Sequence, residues 1–295
     1  MIGVDVGGTR IKVATVEEDR VLRFASLETP TGKPPAALFD LIASAVRDLD
    51  PSPKTLGVAI PGEVDAAGKC YRLPNIPGFE GVQIKAELER RTGAVVTVEN
   101  DATTAALAES LFGHGRKYAS FLAVTLGTGI GGGLVLGRRL VRGAHGFGGE
   151  IGHMTVDPSP SGPLCGCGQR GCLEAFAGTH AILQAFRAAG GTATEIREVA
   201  ESMRRGEAAG RAAFALVSDA LAIALNSIQN LLDLDAIVFA GGVSKSFDLV
   251  EPRLREGLRA RRFAEPLSRR GFRDYLALLQ NPLEVDLAVH DRPAT

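Results

Sequence analysis

Three of the four cysteines, Cys165, Cys167 and Cys172, lie within eight positions of one another, and His153 lies twelve residues before the first of them. Three thiolates and one imidazole form a complete ligand set for tetrahedral zinc. The glycines between the cysteines allow the tight turns that would aim the sulfurs at one point. A disulfide is the alternative, but Cys165 and Cys167 are too close in sequence to bridge easily, and only Cys70 remains as a distant partner. The spacing therefore predicts a zinc site.

Two carboxylates flank this cluster in the sequence. Glu150 lies three residues before His153, and Glu174 lies two residues after Cys172. A structural metal would hold these neighbouring side chains in place as well, because metal ligands and the groups around them orient one another. The stretch from Gly148 to Glu174 is therefore predicted to build a polar pocket.

The N-terminal segment IGVDVGGTRIKVATV contains two β-branched runs separated by a Gly-Gly turn, a pattern that predicts a β-hairpin. The glycines of this turn, Asp5–Thr9, leave room for a phosphate to approach the backbone amides. Thr9 adds a hydroxyl, and Asp5 adds a carboxylate that can meet a metal ion or its waters. An ordinary turn explains the same residues equally well, because Asp and Gly are common turn formers.

A second glycine-rich turn follows the apolar run at Phe121. The segment GTGIGGG matches the G-x-G-x-x-G spacing at Gly127, Gly129 and Gly132. A dinucleotide-binding fold requires a helix directly after such a turn, whereas here the run LVL predicts another strand. The pattern therefore favours a second phosphate-binding hairpin. Two strand–glycine–strand units about 120 residues apart suggest two related domains.

Two further segments lie at predicted strand ends. Asn100 and Asp101 precede a predicted helix, where they could cap it. A carboxylate at the C-terminal edge of a sheet could equally face a ligand crevice and accept a proton from a hydroxyl. Gly241 and Gly242 follow another predicted strand, where they could pack against a nucleotide or form a plain strand–helix connection.

Composition narrows the class of protein. The 295 residues suffice for two α/β domains, with a predicted boundary in Phe112–Lys117 that separates residues 1–115 from 116–295.

A net charge of −1, an aromatic content of 5% and the lack of Trp argue against a nucleic-acid partner. No apolar run is expected to reach membrane-spanning length. Met1 leads almost directly into a strand, and no signal peptide is expected. Reduced cysteines predict a cytoplasmic location.

In this order, the segments resemble the ROK family of bacterial sugar kinases and sugar-responsive repressors. From Asp5 to Gly242 the matching segments are DVGGT, PG, PNIPG, END, LGTGIGGG, GEIGH, CGCGQRGCLE and AGG. The resemblance implies an α/β, two-domain actin-like ATPase fold, with RNase H-like cores on either side of an interdomain cleft. It does not extend to the C-terminus, where NPLEVDLAVHDRPAT replaces the small-residue helix that is usual in the family.

The resemblance also implies roles for individual residues. ATP phosphates would be held by Asp5, Gly7, Gly8 and Thr9 in the first hairpin, and by Gly127, Thr128 and Gly129 in the second. Gly241 and Gly242 would lie near the adenosine. Asp101 would be the catalytic base and contact the sugar, whose other hydrogen-bond partners would be Asn100, Glu150, His153 and Glu174. His153, Cys165, Cys167 and Cys172 would bind a structural Zn²⁺, and Mg²⁺ would accompany ATP.

The implied function is an ATP-dependent hexose kinase that phosphorylates the sugar 6-hydroxyl, with glucose as the leading substrate and a homodimer as the expected assembly. N-acetylglucosamine, N-acetylmannosamine, mannose and fructose are alternative substrates. A repressor is disfavoured, because the first hairpin starts at Ile2 and leaves no space for a DNA-binding domain before it. A sugar-binding protein without catalysis is the alternative of another class, motivated by the unusual C-terminus.

Overall fold

The computed structural model describes residues 1–17 and 20–260. The unusual C-terminal segment noted above lies outside the described residues. Contacts between α-carbons divide the chain into two compact units. Of the described residues, unit 1 comprises Met1–Ala105 and Val141–Gly149, and unit 2 comprises Ala106–Leu140 and 150–260.

Unit 1 is built on a five-stranded mixed sheet. Its strands are β1 (Ile2–Val6), β2 (Arg10–Glu17), β3 (Arg20–Glu28), β4 (Thr55–Ile60) and, after a small hairpin of β5 (Glu63–Val64) and β6 (Cys70–Arg72), β7 (Val95–Asn100). The spatial order is β3-β2-β1-β4-β7. The first three strands pair antiparallel, and β1, β4 and β7 pair parallel. The carboxyl ends of β1, β4 and β7 therefore share one sheet edge.

Two helices cover this sheet, α1 (Pro35–Leu49) and α2 (Ile84–Thr92). Helix α1 begins with proline, whose fixed φ and missing N–H suit the first turn. Its buried face, which includes Leu38, Ile42 and Val46 at helical spacing, joins the apolar core under the sheet. The apolar core of unit 1 therefore supports β1 and β7, the strands that lead into the predicted site residues.

Helix α3 (Asp101–Leu111) follows β7 directly, and the division between the units falls within it. Unit 2 contains a second sheet with strands β8 (Phe121–Leu126), β9 (Ile130–Leu136), β10 (Arg139–Val141) and β11 (Ala236–Ala240). Its order is β10-β9-β8-β11, with β8 antiparallel to β9 and parallel to β11. The remaining helices are α4 (Glu174–Ala177), α5 (Thr179–Ala188), α6 (Ile196–Arg204), α7 (Ala208–Leu232) and α8 (Phe247–Ala260).

Helix α7 forms the centre of unit 2. In the described part of the chain it is the one helix long and apolar enough to cross a membrane by length and composition alone, contrary to the expectation from sequence. Its buried residues, including Val217, Leu221 and Leu225, belong to the core that also contains residues of β8, α5 and α8. Packing within the protein therefore accounts for its apolar composition.

Both glycine hairpins form as the sequence predicts. The turn Gly7–Thr9 connects β1 to β2, and the turn Gly127–Gly129 connects β8 to β9. A strand, β9, directly follows the second turn where a dinucleotide-binding fold would require a helix, in agreement with the sequence argument against that fold. Each unit therefore carries one tight glycine turn between its first two antiparallel strands.

Candidate functional site

The four predicted metal ligands are brought together in unit 2. One ligand atom from each of His153, Cys165, Cys167 and Cys172 lies within 4.8 Å of the others. The Cys167 and Cys172 sulfurs are 3.7 Å apart, and the Cys165 sulfur lies 3.7 Å from His153 Nδ1. Zinc–sulfur bonds of about 2.3 Å imply tetrahedral edges of about 3.8 Å. The donor set and its spacing therefore fit zinc, and the cysteines are free rather than disulfide-bonded.

A tight turn shapes this cluster. The Cys165 N–H donates to the Gln169 carbonyl at 2.8 Å, and the Gly168 N–H donates back to the Cys165 carbonyl at 2.9 Å. Gly171 has a φ of 74°, and a Cβ there would lie 1.8 Å from the Asp157 carbonyl oxygen. Only glycine satisfies both conditions, so the spacing between Cys167 and Cys172 depends on it.

Two of the three cluster thiols, Cys165 and Cys172, resist ionisation in this setting. Burial, together with the neighbouring Cys167 and Cys165 thiols, raises the pKa of Cys172 to about 12. Burial also raises the pKa of Cys165. A bound cation would compensate the buried thiolate charge, since metal binding displaces protons from its ligands.

The flanking carboxylates lie around the same cluster. His153 presents Nδ1 to the Cys165 sulfur, while its Nε2 lies 4.0 Å from Glu150 Oε2. Glu174 Oε1 lies 3.9 Å from the Cys165 sulfur. The imidazole therefore has one nitrogen on the metal side and one on the Glu150 side, and the three predicted sugar-contacting residues of unit 2 are neighbours.

The glycine hairpin of unit 2 is held by the segment that follows the cysteines. Glu174 Oε2 accepts the Ile130 N–H at 3.0 Å. Gly129 is packed so closely that a Cβ there would lie 2.3 Å from the same oxygen. The Gly127 carbonyl accepts two hydrogen bonds from Thr179, from its N–H at 3.0 Å and from its hydroxyl at 2.8 Å.

The turn after β11 lies beside this hairpin. Strand register places Ala240 opposite Thr125, so that Gly241 and Gly242 follow the end of β11 where Gly127 follows the end of β8. Gly241 has a φ of 92°, and its carbonyl accepts the Ser244 hydroxyl at 2.6 Å. The nucleotide-contacting residues predicted in unit 2 therefore share one edge of its sheet.

The corresponding edge of unit 1 carries the first hairpin. The Gly7 N–H donates to the Arg10 carbonyl at 2.9 Å, and the Gly7 carbonyl accepts the Thr29 hydroxyl at 2.7 Å. Asp5 lies opposite Lys12 in the strand pairing, and its carboxylate forms an ion pair with that ammonium group at 3.2 Å. The turn residues Gly8 and Thr9 complete the hairpin.

Asn100 and Asp101 lie where β7 ends and α3 begins. Asn100 Oδ1 accepts the Thr103 N–H at 3.0 Å, and its Nδ2 donates to the Gly62 carbonyl at 3.1 Å. Asp101 Oδ1 accepts the Ala102 N–H at 2.8 Å. Helix capping, the structural alternative, is therefore realised by Asn100. The bonds to backbone groups also fix the direction of both side chains.

The Asp101 carboxyl has the electrostatic character of a base. Its pKa is raised to about 6, chiefly because the surrounding protein disfavours the charged form and further because of the nearby Asp5 carboxylate. The Ala102 N–H acts in the opposite direction. The residue as a whole is nevertheless exposed to solvent, so that water can still reach it. A carboxylate with such a pKa is ionised at neutral pH and still accepts a proton readily.

Sequence reasoning missed several residues of these sites. Lys12, Gly62 and Thr179 each contact a predicted site residue. Arg142 also forms an ion pair with Glu99, next to Asn100, with Nε 2.5 Å from Oε2. Alternation along β2 places Lys12 on the same face as Asp5, a pattern that could have been read from sequence. The other contacts join distant segments and have no local signal.

Comparison with known proteins identifies the family. The profile described as "ROK family" matches residues 1–268. The chain belongs to the ROK family. A curated glucokinase from Thermotoga maritima is 33% identical over 274 residues, covering 87% of this chain and 86% of the relative. An N-acetyl-D-glucosamine kinase from Vibrio cholerae is 32% identical over 261 residues, covering 84% and 85%.

Solved structures agree with this assignment. A ROK family glucokinase from Streptomyces griseus, crystallised in complex with glucose and AMPPNP, is 31% identical and superposes with a TM-score of 0.77. The match covers 89% of this chain and 89% of that one. The expected fold class, the actin-like ATPase fold of ROK sugar kinases, is therefore confirmed.

Proposed function

We propose that this ROK protein is an ATP-dependent hexose kinase that transfers the γ-phosphoryl group of ATP to a sugar 6-hydroxyl, with glucose as the preferred substrate. The observation that carries the proposal is Asp101, a carboxylate with a pKa of about 6 near Asp5 of the first glycine hairpin. The relatives of the chain support the reaction class, since one is named glucokinase and another is named N-acetyl-D-glucosamine kinase.

In this proposal Asp101 is the general base. It would orient the 6-hydroxyl and take its proton as the hydroxyl oxygen attacks the terminal phosphorus, while the bond from that phosphorus to the bridging oxygen of ADP breaks. General bases contribute about 10²–10⁴-fold to such reactions. Because Asn100 is held by Thr103 and Gly62, it would bind the sugar from a fixed direction beside the base.

The sugar ring would be bound by Glu150, His153 and Glu174, with His153 Nε2 and the two carboxylates as hydrogen-bonding groups. The Cys/His cluster lies beside these side chains, and a Zn²⁺ bound by His153, Cys165, Cys167 and Cys172 would be structural. The zinc would stabilise the fold of this segment. It would take no part in the phosphoryl transfer.

The backbone amides of the two glycine turns, with Gly7, Gly8 and Thr9 in one and Gly127, Thr128 and Gly129 in the other, would bind the phosphates of ATP. Gly241 and Gly242 would lie against the adenosine. Mg²⁺ that accompanies ATP would neutralise phosphate charge, and Asp5 is the carboxylate that would hold it or its waters. Phosphoryl transfer depends mainly on such positioning and charge neutralisation.

The domain assignment also remains a proposal: residues 1–115 would supply the base and first hairpin, and residues 116–295 the second hairpin, the zinc site and the adenosine turn. We further propose a cytoplasmic homodimer without nucleic-acid or membrane partners. N-acetylglucosamine is the leading alternative substrate, because a relative of similar identity is named for it.

Coupled ADP release tests the proposal. The protein is assayed with Mg-ATP against glucose, mannose, fructose, N-acetylglucosamine and N-acetylmannosamine in parallel, with Asp101→Asn as the matched inactive control. Glucose should have the highest kcat/KM. Preference for another hexose would change the assigned substrate but leave the reaction class unchanged. Sugar binding without ADP formation in the unmodified protein would favour the non-catalytic alternative.

A further inference from the structure

The carbonyl of Gly127 is held from one side by a single residue. Both the N–H and the hydroxyl of Thr179 donate to this oxygen, at 3.0 and 2.8 Å. Thr179 is the first residue of α5 and follows the N-cap position, Gly178, whose lack of a side chain leaves the helix start without a side-chain cap. The Thr179 hydroxyl binds a carbonyl 52 residues away in sequence.

This anchor determines where the next amide points. The described chain contains no cis peptide bonds, so the Gly127 carbonyl and the Thr128 N–H point in opposite directions within one peptide plane. Holding the carbonyl toward Thr179 therefore directs the Thr128 N–H away from α5. Thr128 is in the turn that the proposed function assigns to ATP phosphates, and an N–H that points outward from such a turn is the group that binds an anion.

A second contact fixes the other end of the same turn. Glu174 Oε2 accepts the Ile130 N–H at 3.0 Å. Thr179 thus holds the turn at Gly127 and Glu174 holds it at Ile130. Both residues belong to one short segment that begins two residues after the proposed metal ligand Cys172. The turn is therefore fixed at both ends by neighbouring residues of one local segment.

We propose that Thr179 is a positioning residue for ATP: its hydroxyl fixes the Gly127 carbonyl and thereby the direction of the Thr128 N–H. The proposal rests on the proposed function for the role of the turn. Thr179 itself touches neither the nucleotide nor the sugar. Its loss should weaken nucleotide binding selectively, because the sugar-contacting residues do not hydrogen-bond to its hydroxyl.

The test compares Thr179→Val with Thr179→Ser. Valine keeps the branched shape and the backbone N–H bond but removes the hydroxyl, whereas serine keeps the hydroxyl. Loss of one hydrogen bond predicts a rise of about threefold to tenfold in KM for ATP. KM for glucose should change by less than about twofold. Serine should restore the wild-type KM for ATP.

Thr92→Val is the matched control. The Thr92 hydroxyl also donates to a backbone carbonyl, that of Leu88 at 2.8 Å, but in helix α2 of unit 1. This variant should leave both KM values unchanged. Equal rises in KM for ATP and glucose in Thr179→Val, or no rise in either, would contradict the proposal, as would a serine variant that behaves like valine.

Calorimetric binding of AMPPNP with Mg²⁺ separates this inference from the proposed kinase activity. If the unmodified protein turns over no sugar but binds AMPPNP, and Thr179→Val weakens that binding by the same factor, the positioning role stands while the kinase proposal fails. If turnover is present and AMPPNP affinity is equal in Thr179→Val and wild type, the positioning role fails alone. If valine prevents folding, the same binding measured with Thr179→Ala and Thr179→Ser gives the comparison.

Discussion

The contact between Gly129 and Glu174 can be tested without any assumption about function. A Cβ at position 129 would lie 2.3 Å from Glu174 Oε2, whereas a Cβ at position 127 would meet nothing within 4 Å. Neither Gly127 nor Gly129 is among the described glycines with positive φ, so alanine is not strained by the backbone at either position. The substitutions Gly129→Ala and Gly127→Ala therefore differ mainly in the presence of Glu174.

The size of the effect follows from what Glu174 must give up. Its carboxylate is at the end of a flexible side chain and can rotate away from the new methyl group, but it then loses the Ile130 N–H at 3.0 Å. A hydrogen bond to a charged group contributes about 1.5–3 kcal/mol. Replacing glycine at a compatible position stabilises by about 0.4–1 kcal/mol through the unfolded chain. Gly129→Ala should thus lower the free energy of unfolding by about 1–2 kcal/mol, while Gly127→Ala should raise it slightly.

Urea unfolding of both variants at one fixed zinc concentration measures these differences, and Glu174→Ala supplies the second arm of a double-mutant cycle. In the Glu174→Ala background the clash is absent, so Gly129→Ala should behave like Gly127→Ala. Equal unfolding free energies for the two alanine variants in the wild-type background would refute the reasoning. The same penalty for Gly129→Ala with and without Glu174 would place its cause elsewhere.

The proposed base and the metal cluster can each be tested by one substitution or one titration. Asp101→Asn should lower kcat by about 10²–10⁴-fold while calorimetry still detects glucose binding; a loss below tenfold would remove Asp101 as the base. Because the pKa of Asp101 is raised to about 6 and the ionised form is active, turnover at saturating Mg-ATP should fall as the pH drops through 6. At pH 5 it should be about a tenth of its plateau, and constant turnover down to pH 5 would contradict the raised pKa. Cys167→Ser should lose about one zinc per chain by elemental analysis and lower the Tm, whereas Cys70→Ser, outside the cluster, should retain the metal.

Sequence patterns were sufficient for the strands and helices with strong apolar periodicity. The β-branched runs on either side of the first glycine turn form β1 and β2, the apolar runs on either side of the second form β8 and β9, and the predicted strand before Gly241 is β11. Strand β3 had no such pattern, because it lies at the sheet edge and none of its residues is buried. Its backbone pairing with β2, rather than side-chain burial, places it in the sheet. Such pairing leaves no trace in hydrophobic spacing.

The same distinction applies to the candidate site. The proximity of the four candidate metal ligands could be predicted, because three of them occupy a short stretch whose glycines and donor atoms are visible together. The raised pKa of Asp101 could not be predicted, since it depends on the protein packed around the carboxylate and on Asp5, which lies 96 positions earlier. The contacts of Thr179 with Gly127 and of Glu174 with Ile130 likewise join segments that meet only in the folded unit.

These two contacts suggest why zinc would be retained in a protein whose proposed reaction does not use it. The segment from Cys165 to Thr179 contains three proposed metal ligands, a proposed sugar-binding carboxylate and the residue that anchors the glycine turn. Its local backbone is largely turns and one four-residue helix, α4, which is too short to be stable alone. A metal bound at Cys165, Cys167 and Cys172 would restrain this segment directly before Glu174. Loss of zinc should therefore weaken both sugar and nucleotide binding, whereas Thr179→Val should weaken nucleotide binding alone.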